Sequence, residues 1–94
     1  MISAEEAFRL GLADKVTEAE MLMEESIKIA KIIMSKAPVA VKMAKKAINN
    51  GLNVDLKSGL AYEAEAFTTT FSTEDRTEGM RAFIEKRSSE FKGK

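Results

Sequence analysis

An all-α fold of about five helices is predicted by three features of the sequence. Apolar residues recur at three- and four-residue spacing, capping residues punctuate those runs, and a single proline occurs in 94 residues. Ala, Leu, Met, Glu and Lys, which lose little freedom on entering a helix, are abundant throughout. The chain is expected to form one helical domain over residues 1–94, with residues 88–94 as a frayed tail.

Ser3 is placed to cap a first helix, Glu6 to complete a reciprocal capping box, and Gly11 to end the helix in the left-handed conformation. Ala4, Ala7, Phe8 and Leu10 supply its apolar face. Met1-Ile2-Ser3 leads straight into this helix, which gives the expectation of a chain cut from a longer protein. Leu12 to Val16 is expected to be a brief extended connector. A second helix is expected from about Glu18 to Lys36, because Leu22, Ile29 and Ile33 recur at helical spacing. Ile27, Ile32 and Met34 lie off that stripe, making the apolar surface wider than one partner helix requires.

Pro38 suits the first turn of a third helix, Val39 to Asn50, where its missing N–H costs nothing, and Gly51 reads as the stop. Val41, Ala44, Ala47 and Ile48 form its stripe. Asp55 caps a fourth helix in which Leu56, Leu60, Ala64, Phe67 and Phe71 follow the repeat. Ser72 or Thr73 caps the fifth, where Glu74 and Asp75 favour the helix dipole and Met80, Phe83, Ile84 and Arg87 recur to about Arg87. Gly79 inside that helix costs about 1 kcal/mol relative to alanine, which points to close approach by another backbone, that of a neighbouring chain included.

Fifteen basic residues balance fifteen acidic ones, so neither a nucleic-acid nor an anionic-membrane partner is expected. Without cysteine there is no thiolate nucleophile or thiolate metal site, and without histidine the commonest general base and metal ligand is missing; no metal site is expected. Carboxylates and lysines remain as acid–base groups. No apolar run approaches the length of a membrane span and no signal-peptide pattern opens the chain, which gives a cytoplasmic expectation. Lys42, Lys45 and Lys46 read as a solvated helix face, since no aromatic residue interleaves them. The six methionines read as gap-fillers in the core.

Ile2-Ser3-Ala4-Glu5-Glu6-Ala7, followed by Gly11-Leu12-Ala13-Asp14-Lys15-Val16, resembles a stretch of the enoyl-CoA hydratase (crotonase) family. Ala37-Pro38-Val39-Ala40-Val41, Lys46-Ala47-Ile48-Asn49 and Gly59-Leu60-Ala61-Tyr62-Glu63 follow in the family's order. Phe71-Ser72-Thr73-Glu74-Asp75, Glu78-Gly79-Met80 and Ala82-Phe83-Ile84-Glu85-Lys86-Arg87 complete the match. The resemblance covers essentially the whole chain and is to the family's C-terminal helical third.

That resemblance implies a parent enzyme that hydrates a trans-2-enoyl-CoA to a 3-hydroxyacyl-CoA with no metal or redox cofactor. In the family, two glutamates and two oxyanion-binding backbone N–H groups come from an upstream spiral of strands and helices. No residue here matches those motifs, so no catalytic residue is assigned; Glu5, Glu6, Glu63 and Glu65 match none of them. The isomerases, dehalogenases and thioester hydrolases of the family also take their chemistry from upstream.

What the resemblance does assign to this segment is one wall of the acyl-CoA site and part of the oligomer contact. Phe67 and Phe83 match aromatic positions beside the acyl-CoA. Lys86 matches a basic residue that reaches the nucleotide end of CoA, usually in a neighbouring subunit's site. Read without the family, the two phenylalanines are core packing and Lys86 is a solvated charge near a helix C-terminus. The competing reading is a non-catalytic helical module that self-associates as a dimer or higher assembly and binds acyl-CoA weakly if at all.

Overall fold

The computed structural model describes all of residues 1–94 and contains five α-helices and no strand. They are α1 (Ala4–Arg9), α2 (Leu22–Met34), α3 (Pro38–Gly51), α4 (Leu56–Phe71) and α5 (Glu74–Glu85), with a 3₁₀ turn over Ala19–Met21. The all-α expectation holds. Where one domain is expected from the sequence, contacts divide the chain into two compact units, Met1–Lys31 and Ile32–Lys94.

In the first unit, the Ser3 hydroxyl accepts the Glu6 amide at 3.1 Å and so caps α1. The other half of the expected capping box is replaced: the Glu6 carboxylate accepts from the Arg9 guanidinium at 2.8 and 2.5 Å. Gly11, at φ +77°, ends the helix as expected, with its own N–H donating to Phe8 O and that of Leu12 to Ala7 O. The second helix opens with the 3₁₀ turn, so its α-helical part is shorter than the span from Glu18 to Lys36. Glu25 pairs with both Lys15 and Lys28. Lys15 first, then Lys28, hold its carboxyl down to about 2. No residue of this unit is fully buried.

The second unit is built on a helical hairpin, α3 against α4, the one extensive helix–helix contact in the chain. Pro38 occupies the first turn of α3. Gly51, read from the sequence as a stop, is the last residue of α3. A Cβ on Gly59 would make ordinary contact with Gly51 Cα at 3.5 Å and Gly51 O at 3.6 Å, so the two helices run close where the hairpin closes and leave room there for little more than a methyl group. Asp55 caps α4, accepting the Ser58 amide at 3.2 Å and its hydroxyl at 2.6 Å. Those bonds, the side-chain one foremost, hold the Asp55 carboxyl below its usual range. At the α4–α5 corner the Arg76 guanidinium lies 4.1 Å from the Phe71 ring centre while its Nε donates to Phe71 O. Thr73, whose hydroxyl accepts the Arg76 amide, is the cap of α5.

Residues 88–94, expected as a tail, have no regular structure and are hydrogen-bonded back to α5. Asp75, only 3% exposed, accepts the backbone N–H of Lys92 through Oδ1 at 2.7 Å and that of Gly93 through Oδ2 at 2.8 Å. Its own N–H donates to Lys94 O at 2.9 Å. The Phe91 ring lies over Gly79, where a Cβ would stand 3.4 Å from it. The close approach expected at Gly79 is therefore made by a side chain of the same chain, not by another backbone.

Candidate functional site

Helix α5 ends in a turn that places a lysine where glycine is usual. Lys86, at φ 54° and ψ 41°, is the one non-glycine residue with positive φ. Its N–H donates to Phe83 O at 3.3 Å and that of Arg87 to Ala82 O at 3.0 Å, a Schellman closure. The same pair of bonds closes α1, with Gly11 in the left-handed position. For an L-residue with a Cβ that conformation costs about 1–2 kcal/mol, so Lys86 sits there against its intrinsic preference.

A polar network surrounds this turn. The Arg87 guanidinium donates to Glu78 in a fork, Nη1 to Oε1 at 2.6 Å and Nη2 to Oε2 at 3.0 Å, and its Nε donates to Glu85 Oε2 at 2.6 Å. Glu78 Oε1 also accepts the Glu90 amide at 3.0 Å, tying the tail to the same carboxylate. Arg87 first, then that amide, hold the Glu78 carboxyl down to about 2, and the two carboxylates push Arg87 up. No carboxylate pairs with the Lys86 ammonium.

Phe83, one turn before Lys86, is 85% exposed. Phe67 is 68% exposed and lines an open groove of about 380 Å³ along the α3–α4 hairpin, with Ala40, Ala44, Ile48 and Thr70. Its ring stands 5.9 Å from that of Phe71. Phe83 and Lys86 therefore share the end of α5, and neither lines the groove of Phe67. Core packing, the default for both phenylalanines on periodicity, is not what this chain shows: the sole buried hydrophobic residue is Ala82. The methionines are no core fillers either, since Met1, Met21, Met23, Met34 and Met80 are exposed and Met43 is half-buried. Lys42, Lys45 and Lys46 are exposed, as a solvated face requires.

Periodicity did not single out Glu78 or the clamping role of Asp75. Asp75 reads as an ordinary first-turn acid, and Glu78 and Arg87 are nine residues apart, a spacing no helical repeat marks. No group of three or more His, Cys, Asp or Glu side chains could hold a metal ion, and no helix is long and apolar enough to cross a membrane.

The family model for enoyl-CoA hydratase/isomerase matches residues 1–94, and the chain belongs to that family. It is similar to a short-chain-enoyl-CoA hydratase of Clostridium acetobutylicum, 53% identical over 89 residues, which covers 95% of this chain and 34% of that protein. A crotonyl-CoA hydratase of Syntrophomonas wolfei is 46% identical, with 97% of this chain and 35% of the other covered. Among solved structures, the enoyl-CoA hydratase of Bacillus anthracis superposes with a TM-score of 0.94 at 46% identity, over 99% of this chain and 36% of that one. The chain thus spans about a third of the length of the relatives it matches.

Proposed function

We propose that this chain acts as the helical wall of an acyl-CoA site in a cytoplasmic enoyl-CoA hydratase-type enzyme of fatty-acid metabolism. The whole enzyme would add water to a trans-2-enoyl-CoA to give a 3-hydroxyacyl-CoA. Phe67 and Phe83 offer apolar contact to the acyl-CoA, and the Lys86 ammonium offers a point charge to the phosphate-bearing nucleotide end. The observation that best supports this reading is the turn at Lys86: an unpaired cation on a left-handed residue, beside an exposed aromatic ring. Strained residues that persist in folds concentrate at ligand contacts.

No residue of the chain takes a catalytic role in this reading. The purified chain is expected to give no hydration of crotonyl-CoA. Loss of the conjugated thioester absorbance above a matched blank, in proportion to chain concentration, would contradict it. CoA itself is expected to bind with a Kd no tighter than roughly millimolar, because few contacts remain to offset the cost of association. Lys86→Ala should weaken that binding; equal binding removes Lys86 from the site.

A second role rests on a different observation. Leu22, Ile29 and Ile33 on α2, Leu60, Phe67 and Phe71 on α4, and Met80, Phe83 and Ile84 on α5 are all exposed. Taking such a side chain from full exposure to full burial releases on the order of 1.5–3 kcal/mol, and these retain 46–85% of their exposure, so the stripes favour association with further protein surface. For the chain by itself the nearest such surface is a second copy, in a dimer or higher assembly.

A further inference from the structure

We infer that Glu78, acting through Arg87, is the positioning residue that holds Lys86 in its left-handed turn and so fixes where the Lys86 ammonium meets a phosphate-bearing ligand. The ligand half of this inference rests on the CoA reading of Lys86 above; the geometric half does not.

Three observations carry it. First, α1 and α5 close with the same hydrogen bonds, yet α1 uses Gly11 in the left-handed position and α5 uses Lys86. The lysine raises the conformational cost and gains no ion pair within the chain, so its place in the turn is not explained by local stability. Second, the turn is held from both sides. Glu85 and Arg87, the residues flanking Lys86, are joined to each other at 2.6 Å, and Glu78 grips the far side of the same guanidinium in a fork. Third, that ion pair is partly solvent-exposed, 38% for Arg87 and 22% for Glu78. Such pairs add little to stability, whereas a two-point fork fixes orientation. Its effect is to over-determine the backbone around Lys86, which is what a strained residue needs in order to persist. Glu78 also takes the Glu90 amide, which ties the tail to the same carboxylate, while the Lys86 ammonium has no carboxylate partner.

The test uses the full chain, as wild type, E78Q, K86A and the double variant. A positive φ gives a strong intraresidue amide-to-Hα NOE at Lys86, readable without ligand. Titrations with CoA and with 3′-dephospho-CoA give the ligand arm. Glu78→Gln is expected to weaken that NOE while the α3–α4 amide resonances stay in place. It should also weaken CoA binding by roughly threefold to tenfold, as expected when a charge-assisted contact is misplaced rather than removed. In the K86A background E78Q should have no further effect, because Glu78 acts through the lysine. Should E78Q fail to fold, Arg87→Lys, which keeps the charge and loses the fork, is expected to give the same readings. An unchanged NOE at Lys86 overturns the inference, as does an equal loss of CoA affinity in the presence and absence of Lys86. Equal CoA binding by K86A and wild type, with the NOE still dependent on Glu78, would instead overturn the CoA role of Lys86 and leave the geometric link standing.

Discussion

The hairpin of α3 and α4 and the tail-bound helix α5 are held by different physics within one unit. In the hairpin, small residues let two helices approach until Gly51 and Gly59 nearly touch, and Ala47 and Ala66 line grooves along the same pair of helices. Helix α5 has no comparable helix–helix contact; it is bound to residues 88–94 through Asp75, Glu78 and Arg87. One region depends on shape, the other on a few directional bonds. Substitutions that change volume should therefore act on the first, and substitutions that change hydrogen-bonding capacity should act on the second.

The largest effect is expected at Asp75. Asparagine keeps its size and offers one carbonyl oxygen in place of two carboxylate oxygens, so either Lys92 or Gly93 loses its acceptor. Losing a hydrogen bond to a buried charged group costs about 1.5–3 kcal/mol. Amide exchange at residues 92 and 93 should accelerate correspondingly in Asp75→Asn, with the hairpin amides unaffected. Loss of protection throughout α3 and α4 would show that the two regions are not separable.

Next in size is Gly59→Val, which puts a branched side chain against the Gly51 backbone and should cost about 1–3 kcal/mol in a urea melt followed by helicity. Gly59→Ala sharpens the point. Its Cβ would make ordinary contact at 3.5 Å, and alanine is the better helix former, so this variant should be neutral or slightly stabilising. Equal loss for both substitutions would mean that even a Cβ is not tolerated beside Gly51, since the helical backbone of Gly59 suits alanine.

The same contrast explains how much of the molecule was legible in the sequence. Helix number, the Ser3, Asp55 and Thr73 caps, the Gly11 closure and the solvated lysines of α3 follow from period and local chemistry, which act over a few residues. The bonds of the tail were not legible because Asp75 reaches Lys92 and Gly93 across 17 and 18 residues, and no periodic pattern encodes such a bond. Gly79 was misread for a related reason: a glycine signals permissive backbone or available space, and only the fold decides which neighbour takes that space. Phe67, Phe83 and Lys86 became candidates through family resemblance, since periodicity alone assigns the first two to a core this chain does not build.

A smaller effect is expected from pH. Glu78 is depressed from 4.5 to about 2 in the folded chain, so the unfolded state binds its proton first as pH falls. The stabilisation from its bonds is present above about pH 4.5 and is lost progressively as pH falls toward 2. Exchange protection of the Glu90 amide, followed from pH 6 to pH 2 and corrected for intrinsic exchange, should decline in that window ahead of the hairpin amides. A Glu90 amide that stays as protected as those of α3 and α4 down to pH 2 would place the tail and the hairpin in one cooperative unit.

Both regions leave their outer apolar faces uncovered, and the central claim is that these faces are contact surfaces. Sedimentation equilibrium of the purified chain at micromolar concentration tests it most directly. A mass at or above twice 10.4 kDa, falling toward the monomer on dilution, is the predicted result. A monomeric mass, together with a cooperative thermal melt and no binding of a hydrophobic dye, would show that the chain covers its own apolar surface and would contradict the account.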